Sequence, residues 1–177
     1  QAIDVVFRTF ADTGDKLLIP QPSFAMYRQY ADIAGLQAAG YSYTVEDLSF
    51  PLDEVLAAID AKTRLVVICN PNSPTGTLAE LADIEKIAAK AKTINAVVYI
   101  DEAYFEFSGV TAAGLIGKYP NLVISRTFSK AFGLAGLRVG YVLASPTHIT
   151  EMLKVRGPYD VNQAACNAAA AALSPAG

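Results

Sequence analysis

Apolar positions along the chain change their period repeatedly, and each change marks an element. Ile3, Val6, Phe7 and Phe10 recur at the spacing of one helix face. After a turn at 12–15 containing Gly14, Lys16-Leu17-Leu18-Ile19 predicts a short buried strand that Pro20 ends. Pro20-Gln21-Pro22-Ser23-Phe24 predicts a stiff loop into a second helix over 24–38, with Ser23 as its candidate cap. Tyr41, Tyr43 and Val45 alternate with other residues over 40–45, as in an edge strand. A turn at 48–53 leads to a short helix with Leu56 and Ile59 turned inward.

The next runs are continuous rather than alternating. Residues 65–69 and 96–100 are apolar throughout, the mark of strands buried on both faces of a parallel sheet, and 122–124 is a third strand-like run. Between the first two, 78–92 predicts a helix with Leu81, Ile84, Ile87 and Ala88 on one side and Glu80, Glu85 and Lys92 mostly on the other. Residues 139–143 predict a strand after a glycine turn, and Pro146 opens a helix toward Lys154. Gly157-Pro158-Tyr159 breaks it before an Ala-rich helix over 162–173 that stops at Ser174-Pro175-Ala176-Gly177. Strand and helix alternate with short loops, which predicts an α/β fold: a mostly parallel sheet with helices on both faces. No internal repeat is evident.

Composition narrows the function classes. With 53% apolar and 18% charged residues, the 177-residue chain is expected to fold around one hydrophobic core. A formal charge of −3 without a basic block does not suggest a nucleic-acid partner. No apolar run approaches the roughly 20 residues of a membrane span, and no basic-then-apolar leader opens the chain. Cys69 closes an apolar run and Cys166 lies in the Ala-rich helix, so both read as small buried hydrophobes rather than a disulfide. With His148 the only histidine, no metal site is expected. A reducing cytoplasm fits. Both ends fall inside helical patterns, so the chain reads as part of a larger protein.

Three polar constellations sit at the C-terminal ends of predicted strands: Asn70 to Gly76, Asp101 to Tyr104, and Ser125 to Lys130. Open α/β sheets bind ligands in the crevice outside those ends, so these side chains converge although they are far apart in sequence. In the third, hydroxyls surround Lys130, glycines follow at 133, 136 and 140, and Arg138 sits among them. A lone lysine in a loop is ordinarily a solvated side chain; a primary amine placed in a site forms Schiff bases with carbonyl compounds. Thr127 and Ser129 offer hydroxyls and Arg138 a forked cation suited to phosphate. Asp101 reads either as a turn acid or as a buried carboxylate that needs a cation, for which a pyridinium nitrogen serves. Tyr104, three residues on, is expected on the same side of a helical turn. Phe24 is either a core ring or a ring stacked on a flat ligand. Neither a dinucleotide-binding glycine fingerprint nor a Walker loop occurs.

Asn-Pro-Asn-Ser-Pro-Thr-Gly at 70–76, Asp-Glu-Ala-Tyr at 101–104 and Thr-Phe-Ser-Lys-Ala-Phe-Gly-Leu-Ala-Gly-Leu-Arg-Val-Gly-Tyr at 127–141 together resemble the fold type I aminotransferases, the aspartate-aminotransferase superfamily. Within it, the chain is most similar to the histidinol-phosphate aminotransferases. The resemblance implies that residues 1–177 are the large, pyridoxal-phosphate-binding domain of a homodimeric transaminase. That enzyme would move an amino group between histidinol phosphate, or a similar donor, and a 2-oxo acid such as 2-oxoglutarate. It implies that Lys130 carries the cofactor covalently, that Asp101 pairs with the pyridine nitrogen and that Tyr104 bonds the ring oxygen. Thr127, Ser129 and Arg138 would hold the phosphate, and Phe24 would be the stacked ring. Where the family commonly has Asn before Pro-Thr-Gly, this chain has Ser73, with Asn72 one residue earlier. The contact to the ring oxygen is then weaker, water-mediated, or supplied by Asn72. The small domain with its carboxylate-binding arginine, and the segment before Gln1, are expected outside this chain. An aromatic aminotransferase, a decarboxylase of phosphorylated amino acids, and a cofactor-binding regulatory domain share these motifs.

Overall fold

The computed structural model describes residues 1–174; Pro175, Ala176 and Gly177, part of the expected stop of the last helix, lie outside the described residues. Six strands form one sheet: β1 (Lys16–Gln21), β2 (Gln37–Ser42), β3 (Thr63–Cys69), β4 (Val97–Asp101), β5 (Leu122–Thr127) and β6 (Gly140–Ala144). Their order is β2-β1-β3-β4-β5-β6. The pairs from β2 to β5 are parallel and β6 joins β5 antiparallel. The mostly parallel sheet expected from the sequence is the one observed.

The continuous apolar runs form β3, β4 and β5 because both of their faces are covered. Alternation along each strand divides them between two cores. Val66, Ile68, Val98, Ile100, Leu122 and Ile124 pack under α3 (Leu52–Ala58) and α4 (Leu81–Thr93). Leu65, Val67, Cys69, Val97, Tyr99 and Val123 pack under α1 (Ala2–Phe10), α2 (Met26–Ala34) and α6 (Pro146–Val155). A four-residue helix, α5 (Phe105–Ser108), follows β4, and α7 (Gln163–Ala172) packs Ala165 and Ala169 on Phe128 and Val139. Among the described residues, no helix is long and apolar enough to cross a membrane.

Several boundaries differ from expectation for identifiable reasons. α2 stops at Ala34 because Gly35 adopts the left-handed conformation (φ 68°) and closes the last turn onto the Ala31 and Asp32 carbonyls. β2 therefore begins at Gln37, before Gly40. β1 runs on through Pro20, which is opposite Tyr41 of β2 after the pairing with β3 has ended at Leu18, so no ladder bond is lost there. Ser23 does not cap α2, whose N-cap is Ala25 without a side-chain bond; its hydroxyl is used elsewhere. α4 begins only at Leu81, which stays exposed, so the inward stripe starts at Ile84. Cys69 is buried as expected, but Cys166 is exposed, because α7 turns its alanines inward instead; both thiols are free.

Candidate active site

The chain leaves β1 toward β2 on one side of the sheet and continues from β3 to β4 and β5 on the other. Loops after β1 and β3 therefore diverge and open a crevice at the C-terminal strand ends. The loop after β1 carries Ser23 and Phe24, that after β3 carries Asn72 and Ser73, β4 ends on Asp101, and β5 ends on Thr127 before Lys130. The sequence-predicted residues thus come from neighbouring strands.

Asn72 ties the two diverging loops together. It is buried; its Oδ1 accepts from Ser23 Oγ at 2.7 Å, and its Nδ2 donates to the Pro22 carbonyl at 3.0 Å and to Thr75 Oγ1 at 2.9 Å. Both amide hydrogens are committed to protein partners. Asn72, considered above as a substitute donor to a cofactor oxygen, is here a clamp between loops, and Ser73 is the half-buried residue beside it.

Asp101 is the floor of the crevice. It is buried as the last residue of β4, on the face covered by α1 and α2. Tyr27, from the first turn of α2, donates its hydroxyl to Asp101 Oδ2 at 2.8 Å. The Ala103 N–H donates to Oδ1 at 3.1 Å, and Ser125 Oγ reaches the same oxygen at 3.5 Å while sharing a 2.6 Å bond with the Tyr99 hydroxyl. All these donors are neutral. Burial pushes the carboxyl above the usual range, against the opposing pull of its hydrogen bonds. Burial and the neighbouring Asp101 also raise the Cys69 thiol to about 11, so it stays protonated.

The lysine loop lies on the rim. Lys130 is exposed, with Nζ 5.1 Å from the centroid of the Tyr104 ring. Residues 103 and 104 form a turn and Tyr104 precedes α5, so Asp101 and Tyr104 do not share the helical turn expected from their spacing. Thr127 Oγ1 accepts from the Ser129 N–H at 3.1 Å, which folds the hydroxyl pair back at the strand end. Arg138 is exposed, in the left-handed region at φ 56°, with Nη1 donating to the Ala135 carbonyl at 2.8 Å. A non-glycine residue held there is strained, and such strain clusters at binding sites. Gly140 is fixed by contact: a Cβ at that position would lie 2.4 Å from the Arg126 carbonyl oxygen. Phe24 is 48% exposed, so it is not a core ring; it meets Tyr27 edge-on, with centroids 5.8 Å apart and planes at 84°.

These residues suit the pyridine cofactor implied by the sequence. A buried carboxylate whose direct donors are all neutral fits a cationic ring nitrogen. An exposed aromatic ring, an exposed amine, two hydroxyls and a guanidinium fit its flat ring, aldehyde and phosphate. Sequence reasoning missed Tyr27, which at helical spacing reads as core, and the Ser125–Tyr99 pair. It also missed the ion pair on the opposite face. There Arg126 Nε donates to Glu102 Oε2 at 2.9 Å, Arg126 Nη2 donates to Thr111 Oγ1 at 2.6 Å, and the guanidinium covers the Phe105 ring at 3.6 Å.

The family described as aminotransferase class I and II matches residues 1–177. The histidinol-phosphate aminotransferase of Sulfurisphaera tokodaii is 43% identical over 162 residues, covering 91% of this chain and 45% of that protein. The crystal structure of the histidinol-phosphate aminotransferase from Clostridium acetobutylicum superposes with a TM-score of 0.85 at 27% identity, over 97% of this chain and 50% of that one. That of L-threonine-O-3-phosphate decarboxylase from Porphyromonas gingivalis gives 0.79 at 26% identity, over 96% and 51%. The chain spans about half the length of the curated relatives it matches.

Proposed function

Because the chain belongs to the class I and II aminotransferases, we propose that its protein is a pyridoxal-phosphate-dependent transaminase moving an amino group from histidinol phosphate, or a similar donor, to 2-oxoglutarate. It acts as a homodimer in the cytoplasm. The observation that carries the reading is the buried Asp101 carboxylate, held only by neutral donors, beside a lysine loop at neighbouring strand ends. The donor assignment is supported by the similarity to histidinol-phosphate aminotransferases.

Pyridoxal phosphate, when bound, supplies an electron sink for the pair left behind when a proton leaves the substrate α-carbon. Asp101 holds the ring nitrogen in its protonated form, because the pairing of opposite charges relieves the burial of the carboxylate. Thr127, Ser129 and Arg138 would hold the phosphate, the hydroxyls and the guanidinium supplying its hydrogen-bond donors and the guanidinium its counter-charge. Phe24 covers the ring, and its exposed face is available for that contact. Lys130 would hold the cofactor through Nζ and, with the donor's amine in its place, its free amine would accept the proton leaving the substrate Cα. Tyr104 lies against Lys130 and orients the amine.

The visible absorption spectrum of the protein at its natural length tests this, with and without histidinol phosphate and 2-oxoglutarate, beside Lys130→Ala. A lysine-dependent cofactor band that responds to both substrates, with an oxo product, is expected. No band in the parent overturns the cofactor assignment. A band indifferent to these substrates overturns the donor, and release of carbon dioxide favours the decarboxylase chemistry of the Porphyromonas relative.

A further inference from the structure

The entry to α2 presents two aromatic rings to the crevice: Phe24 from the loop before the helix and Tyr27 from its first turn, joined by a 3.2 Å bond from the Tyr27 N–H to the Phe24 carbonyl. Phe24 stands half-exposed over the opening, and Tyr27 lies beneath it, almost fully buried. The two rings touch edge to face at 5.8 Å. Only Tyr27 reaches the acid, through the 2.8 Å bond to Asp101 Oδ2. The turn is not free to drift: Asn72 holds the preceding loop through Ser23 and the Pro22 carbonyl. Tyr41 and Tyr99, comparably buried, direct their hydroxyls to the Val67 carbonyl and to Ser125.

We infer that Tyr27 is a positioning residue of the cofactor site: its hydroxyl fixes the Asp101 carboxylate and keeps it the weaker base in its pairing with the ring nitrogen. This rests on the function proposed above. The groups facing Asp101 are few: Tyr27 from α2, Cys69 from β3, Tyr99 from its own strand, Ser125 from β5, and Glu102, the next residue along. Cys69 and Tyr99 stay protonated because burial raises both, and Glu102 is paired with Arg126. Tyr27 is therefore the short hydroxyl donor to the acid, and the Ser125–Tyr99 pair is a longer one on the other oxygen. A donor at Oδ2 lowers the proton affinity of the carboxylate, so the shared proton stays on the ring nitrogen. Without it the proton moves toward Asp101, the ring becomes less electron-poor, and the nitrogen joining Lys130 to the cofactor keeps its own proton to higher pH.

The test is a pH titration of visible absorption on the cofactor-loaded protein. Two variants bracket the bond: Tyr27→Phe deletes the hydroxyl, and 3-fluorotyrosine placed at position 27 keeps the shape while making it a stronger donor. The absorption midpoint is expected to rise by at least about half a pH unit in Tyr27→Phe and to fall with fluorotyrosine. With Tyr27→Phe, kcat is expected to drop about 10-fold while KM for the amino donor changes less. Unmoved midpoints, or shifts of the same sign in both variants, overturn the inference, since packing alone does not respond oppositely to the two changes. Absence of any lysine-dependent band in the parent is a failure of the proposed function instead.

Discussion

Asp101 carries opposite consequences for stability and for chemistry. Burial raises its carboxyl in the folded, cofactor-free protein. The unfolded chain then gives up this proton at lower pH than the folded chain does. As pH climbs through that interval the unfolded state is favoured, so Asp101 weakens the fold above it and not below the unfolded value of about 4. Asp101→Asn is accordingly expected to make the cofactor-free protein more stable than the parent at pH 8, by about 0.5–2 kcal/mol, while abolishing transamination. Thermal melts at pH 8 and at about pH 4 check this: the gain shrinks at the lower pH, and a gain independent of pH contradicts it. At this scale the sequence was informative where a polar residue ended an apolar run, as Asp101 does. It was silent on Tyr27, whose partner lies 74 positions away and whose own neighbours spell an ordinary helix face.

Elements with one dominant signal were legible. β3 and β4 followed from unbroken apolar runs, and α4 from its inward stripe. α2 was drawn too long because its apolar spacing outweighed Gly35, a stop signal present in the sequence. Hidden altogether was the pair that braces the end of β4 against β5 from the α4 side. Glu102 is fully buried and accepts from Arg126 Nε, Thr111 Oγ1 and the Ala112 N–H. Removing one member leaves the other charge buried alone, so Glu102→Leu or Arg126→Met is expected to destabilise the fold by about 3–5 kcal/mol. The double replacement should cost less than the sum of the two. Denaturant unfolding of all four proteins gives that comparison; additive losses would contradict a direct pair.

Across the whole molecule, the site exists because sheet order brings distant segments to one edge, which explains why three motifs were legible together and ambiguous singly. Their mutual geometry was not legible, because it is set by Asn72 bridging loops that diverge on either side of the switch between β1 and β3. Asn72→Ala removes those bonds without touching Lys130 or Asp101. It is expected to weaken pyridoxal phosphate binding about 10-fold by spectral titration, with the lysine-dependent band retained. Loss of the band, or unaltered affinity, contradicts a clamping role.

Alternation at the two central strand ends has a further consequence. Asp101 and Ser125 serve the crevice on one face, while their immediate successors, Glu102 and Arg126, form the brace on the other. Strand geometry alone keeps these two sets of residues apart, since each step along the chain reverses the side it faces. Gain or loss of one residue inside β4 or β5 would exchange the sets, sending the acid to the brace and the brace to the crevice. A single-codon change of length in either strand is therefore expected to disturb the crevice and the brace together, whereas a substitution at one of these positions disturbs only one of them.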